Sequence, residues 1–143
     1  MAGILLLHGS MAPVRRFQDL VAWQLSIELS VAISGLTSAT ENVTFRDQIR
    51  DAADSAPALI AEGFKRYTPS EFARYLRMAC AELAEVQSEL ELGRQNRYFV
   101  TSSFESIETL ARRAIGTTTN LLKAKLRQVE AEKRAKRRRR HRG

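Results

Sequence analysis

The sequence predicts an all-α protein of four helices, and three observations lead there. Leu, Ala, Arg and Glu dominate, while 143 residues hold only 7 Gly and 3 Pro, a balance that favours helices over the turn-rich punctuation of a β-sandwich. Apolar residues recur with a helical period through four segments. Two of those segments open on capping boxes, Thr68-Pro69-Ser70-Glu71 and Ser102-Ser103-Phe104-Glu105, in which a hydroxyl and a carboxylate satisfy the free amides of a helix start. A chain of this length can bury about two-thirds of its unfolded surface in one core, so a single domain is expected.

The first helix, about residues 17–34, is apolar on two sides. Leu20, Trp23, Ile27 and Val31 gather on one; Val21, Leu25, Leu29, Ala32 and Ile33 occupy the other, with Gln24, Glu28, Ser26 and Ser30 between. A bundle buries one face of each helix, so the surplus calls for other copies or a partner, or for a helix wholly wrapped inside its own bundle. Val21, Leu25, Leu29 and Ile33 are the expected oligomer interface. The second helix, about 41–64, places Phe45, Ile49, Ala52, Ala53, Ala56, Leu59, Ile60 and Gly63 within about 120° of arc. Pro57 lies inside it, where a kink without a break is expected because the apolar period continues beyond.

The third helix, about 69–94, starts with Pro where no amide proton is missed. Its stripe is Phe72, Tyr75, Leu76, Ala79, Cys80, Leu83, Val86 and Leu90. Cys80 sits at the margin, with no His beside it, and reads as a packing residue. The fourth helix, about 103–133, carries Ile107, Leu110, Ala111, Ala114, Ile115, Leu121, Leu122, Leu126 and Val129 on one side. Arg112, Arg113, Lys123 and Arg127 project from the other, spaced along roughly 22 Å at 1.5 Å per residue. Such a ladder suits a phosphate backbone, and it equally fits an ordinary solvated face. Loops are expected at Gly35–Thr40 and Gly93–Thr101.

Charge divides the chain. From Lys123 onward stand eleven Lys/Arg and two Glu, a net +9, whereas Met1 to Leu122 carries twelve and fourteen, a net −2. The basicity therefore belongs to the tail, and of its eleven bases Lys123, Arg127, Lys133, Arg134, Lys136, Arg137, Arg138, Arg139, Arg140 and Arg142 join Arg112 and Arg113 as the expected nucleic-acid contacts. Like-charge blocks repel themselves, stay solvated and commonly meet polyanions. The organisation read from this is a disordered N-terminal extension over 1–14, a bundle over 15–128 and a basic tail over 129–143.

Other signals narrow the function. Ile4-Leu5-Leu6-Leu7 is far shorter than the roughly 20 apolar residues of a membrane span and shorter than a signal-peptide core, and Met11 offers a second start, so residues 1–12 read either as extended coding sequence or as residues foreign to the native protein. One cysteine forms no intramolecular disulfide, and a cytoplasmic location is expected. His8 and His141 stand at opposite extremes, so no metal site, cofactor or catalytic centre is expected. Ala61-Glu62-Gly63 reads as the corner between the second and third helices. Glu62 has no evident acid partner, nucleophile or metal; it can pair with Arg50 or Arg66, and Gly63 permits close helix approach. Tyr67, Tyr98 and Phe99 lie near loops, where they either stack on bases or pack.

Phe17-Gln18-Asp19-Leu20 with Trp23, Gln48-Ile49-Arg50-Asp51-Ala52 with Ser55 and Pro57, Ile60-Ala61-Glu62-Gly63-Phe64, Glu71-Phe72 with Tyr75-Leu76, and Met78-Ala79 with Leu83 and Glu85 together resemble the four-helix-bundle family encoded in intervening sequences of bacterial 23S ribosomal RNA genes. The resemblance covers about residues 15–125. Leu59 replaces a usual Asn, Ala81-Glu82 a usual Gly-Ser, and Asp51 a usual Arg, with the helical pattern kept. It implies an up-and-down bundle assembled as a ring, typically a homopentamer. It also implies a relation to the accessory variability proteins of diversity-generating retroelements, basic pentamers that bind a reverse transcriptase and its RNA template. The function expected is thus a non-enzymatic, oligomeric, RNA- or DNA-binding accessory protein, or alternatively a scaffold for a reverse transcriptase or another partner.

Overall fold

The computed structural model describes residues 13–143. The expected N-terminal extension lies almost wholly outside them. Four helices run in order, α1 (Val21–Leu36), α2 (Val43–Phe64), α3 (Pro69–Gln95) and α4 (Phe104–Arg140), with 3-10 turns at Phe17–Asp19 and Thr101–Ser103. There is no strand among the described residues. Each helix packs against its neighbour in sequence and α4 closes against α1, which is the up-and-down arrangement that short connections impose on helices. None of these helices is long and apolar enough to cross a membrane.

Local chemistry explains the boundaries. Thr68 caps α3 by accepting the Glu71 amide at 3.2 Å, and its hydroxyl donates to the Glu71 carboxylate. The Asn42 side chain caps α2 in the same way, accepting from Phe45 N at 2.9 Å. α1 begins later than its periodicity suggests because the Asp19 carboxylate takes the amides of Arg15 and Arg16 and holds a 3-10 turn ahead of it. Burial opposes ionisation of Asp19, but those two amides and the Arg16 guanidinium outweigh it and keep the carboxyl below its usual range. The box expected at Ser102 does not form. Ser103 sits at φ −100°, ψ 0°, where the 3-10 turn runs straight into α4, and its side chain makes no cap bond. α2 passes Pro57 unbroken.

Two apolar clusters fill the bundle. One joins Leu25, Leu29, Ile33, Phe45, Ile49, Leu83, Val86, Leu90, Phe99, Ile107 and Leu110 toward the end where α2 begins. The other joins Val14, Leu20, Ile60, Phe72, Leu76 and Leu121 toward the end where α4 leaves. The expected oligomer interface is therefore corrected: Leu25, Leu29 and Ile33 are buried in the core of their own bundle, and Val21 packs against it. The sequence misleads there because Ser26 shares that buried face, its hydroxyl donating to the Ala22 carbonyl at 2.8 Å. The residue aimed outward is Val31, 68% exposed, with Ile27 and Trp23 partly covered beside it.

Gly93 is not a helix stop but an internal contact. A side chain there would meet Phe99 at 2.5 Å and Phe45 at 2.6 Å. Gly63 is equally confined, since a Cβ there would come within 2.7 Å of Tyr75 Cβ and 2.8 Å of the Phe72 ring, whereas a Cβ on Gly116 would meet open space. Gly63→Ala should therefore destabilise the fold by roughly 1–3 kcal/mol through overpacking. Gly116→Ala should stabilise it by up to about 1 kcal/mol, as expected for an exposed helix interior. Urea unfolding of both variants measures the contrast; equal shifts would break the link between Gly63 and helix approach.

Candidate nucleic-acid interface

α4 has 37 residues, about 55 Å at 1.5 Å per residue. Its first two-thirds are docked. Ile107, Leu110, Ala111, Ala114, Thr118 and Leu121 are buried, and Thr118 on that face bonds its hydroxyl to the Ala114 carbonyl at 2.7 Å. Beyond Val129 every residue is exposed, yet the helix continues to Arg140. The helix thus crosses the boundary expected at residue 129, and its extension projects about 16 Å past the core as a rod.

At 100° per residue, Arg112, Arg113, Lys123, Arg127, Arg134 and Arg138 fall within about 100° of arc, opposite the buried face. All six are exposed. Arg112 has Glu108 at 3.9 Å, while among the described residues no acid lies within ion-pair distance of Arg113, Lys123 or Arg127. Lys133, Lys136, Arg137, Arg139, Arg140 and Arg142 complete the charge around the rod and are all exposed. Glu130 interrupts the row, its carboxylate paired with Lys133 at 3.4 Å. Arg137 to Arg140 occupy the last turn, where cations oppose the negative end of the helix dipole. His141 Nδ1 sits 2.9 Å from the Arg137 carbonyl.

The topology adds bases that the linear reading passed over. The α2–α3 connection, residues 65–68, lies at the pole from which α4 departs, since Phe72 packs with Phe64 and also receives Lys125 Nζ at 5.1 Å from its ring. Lys65 Nζ lies 5.5 Å from the Phe17 ring and the Arg66 guanidinium 4.8 Å from the Tyr75 ring. Arg66 also takes the Glu62 carboxylate at 2.8 Å and bonds the Tyr75 hydroxyl. Arg50 is engaged elsewhere, with Thr37 and the Ser34 carbonyl. The only advance signal was the dipeptide Lys65-Arg66; no periodicity could show that it shares a pole with Lys125. Burial pushes the Lys125 ammonium down.

Other candidate chemistry is accounted for by packing. Cys80 is half-buried with Thr119 Oγ1 at 3.7 Å, and burial raises its thiol despite that contact. Phe99 is buried, and Tyr98 packs on Phe45 with ring centres 5.1 Å apart. Among the described residues no group of three or more His, Cys, Asp and Glu is placed to hold a metal ion. At the far pole a cavity of about 790 Å³ opens between the α1–α2 and α3–α4 connections. Its charges are Glu41 and Arg97, Arg97 having a left-handed φ of 58°.

The model of the 23S rRNA-intervening sequence protein family matches residues 18–120. The chain belongs to that family. Among solved structures it is similar to a Bacteroides thetaiotaomicron protein of unknown function from the S23 ribosomal protein family. The two share 23% identity and a TM-score of 0.67, over 72% of this chain and 99% of that one. That likeness concerns the fold. No curated protein matches. The span matched to the 23S rRNA-intervening sequence proteins ends before Lys123, so the projecting basic rod lies beyond it.

The rod makes a spectroscopic prediction. Its like charges repel at i, i+3 and i+4 spacing, and salt screens that repulsion. A chain ending at Gln128 should lose the far-UV helical signal of residues 129–140, and the difference from the full chain should grow with added NaCl. A difference no larger than that of an unstructured peptide at every salt concentration would contradict a helical extension.

Proposed function

We propose that this protein is a non-enzymatic, homo-oligomeric nucleic-acid-binding accessory protein, with the bundle as hub and the basic face of α4 as the contact for a phosphate backbone. One observation carries the reading: a single continuous helix carries the row of bases opposite the α4 core face from the bundle wall into solvent, with Glu130 as the one acid set into it. Backbone contacts of this kind position a polyanion without reading its sequence. The family's name associates its members with 23S ribosomal RNA genes, which favours RNA as the ligand, and a cytoplasmic setting agrees with that. Glu62 and Cys80, the residues closest to chemistry, are occupied by Arg66 and Thr119.

Titration of labelled structured RNA and duplex DNA, with the full chain and the chain ending at Gln128, tests the reading. The full chain should bind with a logarithmic salt slope of about −0.7 to −0.9 per phosphate engaged. Truncation should flatten that slope and weaken binding to both ligands. Equal affinity of the two chains would remove the rod from the function.

The oligomer, a pentameric ring as the family resemblance implies, is proposed to assemble through the outward side of α1. Val31, Ile27 and Trp23 form the apolar surface there. Val31→Glu should lower the mass measured by light scattering while leaving the unfolding midpoint of the dissociated bundle little changed, since the side chain touches no core. An unchanged mass would release that surface for the scaffold reading, in which it receives a reverse transcriptase or another protein.

A further inference from the structure

Ten aromatic side chains punctuate the sequence, and nine are at least partly buried. Tyr67 is 100% exposed. Nothing in the bundle uses its ring, although the short α2–α3 connection that carries it is held at both ends. On one side the Lys65 amide bonds back to Glu62 O at 3.2 Å and the Arg66 amide to Gly63 O at 3.1 Å. On the other, Thr68 is fixed as the α3 cap. The backbone beneath Tyr67 is therefore braced, and little loop entropy remains to be lost when the ring meets a ligand.

The surroundings define the ligand. Lys65 and Arg66 precede the ring, Arg74 and Lys125 belong to the same pole, and the basic rod leaves from it. Arg66 cannot swing freely, because Glu62 and Tyr75 hold its guanidinium. A flat, solvated π-face framed by positioned cations suits a nucleotide whose phosphate engages the bases and whose nucleobase stacks on the ring. Bases within a duplex are already stacked on one another and present only their edges, so such a platform selects unpaired strands.

We infer that Tyr67 is a base-stacking residue and that it makes single-stranded nucleic acid the preferred ligand at this pole. The inference rests on the nucleic-acid reading above and deepens it, since a rod of bases alone does not discriminate single strands from duplexes.

The test uses the full chain, with a labelled unstructured single-stranded RNA and an RNA duplex of equal length. Tyr67→Ala should weaken single-strand binding roughly 5- to 150-fold, the range spanned by loss of one stacked base. Duplex binding and the melting temperature should stay as they are, and Tyr67→Phe should retain the single-strand affinity. Suppose instead that Tyr67→Ala binds single strands like the parent while truncation at Gln128 weakens both ligands. The inference then fails and the nucleic-acid reading stands. If neither change alters binding, both fall. A drop in oligomeric mass caused by Tyr67→Ala would overturn the inference in another way, by making the ring a subunit contact.

Discussion

Burial of one face of α4 is the constraint on which the rest of the structure depends. Leu110, Ala111, Ala114, Thr118 and Leu121 lock the helix rotationally against α3 and α1. An α-helix transmits that rotation along its axis at a constant angle per residue. The direction in which Arg127, Arg134 and Arg138 point is thus set by side chains up to about 40 Å away along the same rod. Thr118 shows how tightly the face is used: it is fully buried, yet its hydroxyl is satisfied within its own helix, so a polar residue sits in the core without an orphaned group.

The two ends of the bundle differ in their electrostatics. At the far pole, charges neutralise each other locally; Glu91 pairs with Arg94 and bonds Gln95, which holds its carboxyl down at about 2. On the flank of α3, burial, with the neighbouring Glu85 charge adding to it, pushes the Glu82 and Glu89 carboxyls up. At the pole where α4 departs, bases are instead propped on aromatic rings: Lys65 on Phe17, Lys125 on Phe72, Arg66 on Tyr75. A ring attracts a cation through its quadrupole without cancelling its charge. Lys65 and Lys125 are therefore ordered without a carboxylate partner, a different outcome from the pairs at the opposite end, while Arg66 shares its guanidinium between the Tyr75 ring and the Glu62 carboxylate.

Much of this was legible in the residues. α2 and α3 lie within two residues of their expected bounds because Thr68-Pro69 and the apolar period act locally, and Gly63 opposes Phe72 and Tyr75 as a core glycine should. The misses have different causes: a polar group satisfied within its helix, a local balance of charge against propensity, and contacts distant in sequence. Ser26 disguised the buried side of α1, turning Leu25, Leu29 and Ile33 into an expected interface. The end of α4 was placed seven residues early because charge repulsion was weighted above the high helix propensity of Lys, Arg, Ala and Glu, with no breaker before Gly143. Lys65, Arg66 and Lys125 were invisible as a group until four helices folded their positions together.

The geometry also bears on how assembly and binding would combine. The outward residue Val31 lies on α1, on the side away from its buried face, whereas the basic row lies on the solvent side of α4. The two surfaces occupy different helices, so subunits joined through α1 need not cover their rods. Several rods held on one hub raise the local concentration of cationic face available to a single polyanion, and the second contact becomes intramolecular once the first is made. Each rod alone needs only weak, rapidly reversible affinity, as exposed Arg–phosphate contacts provide at physiological salt. Oligomerisation would then be the source of residence time, and the short helical extension would set how far a bound strand stands from the hub.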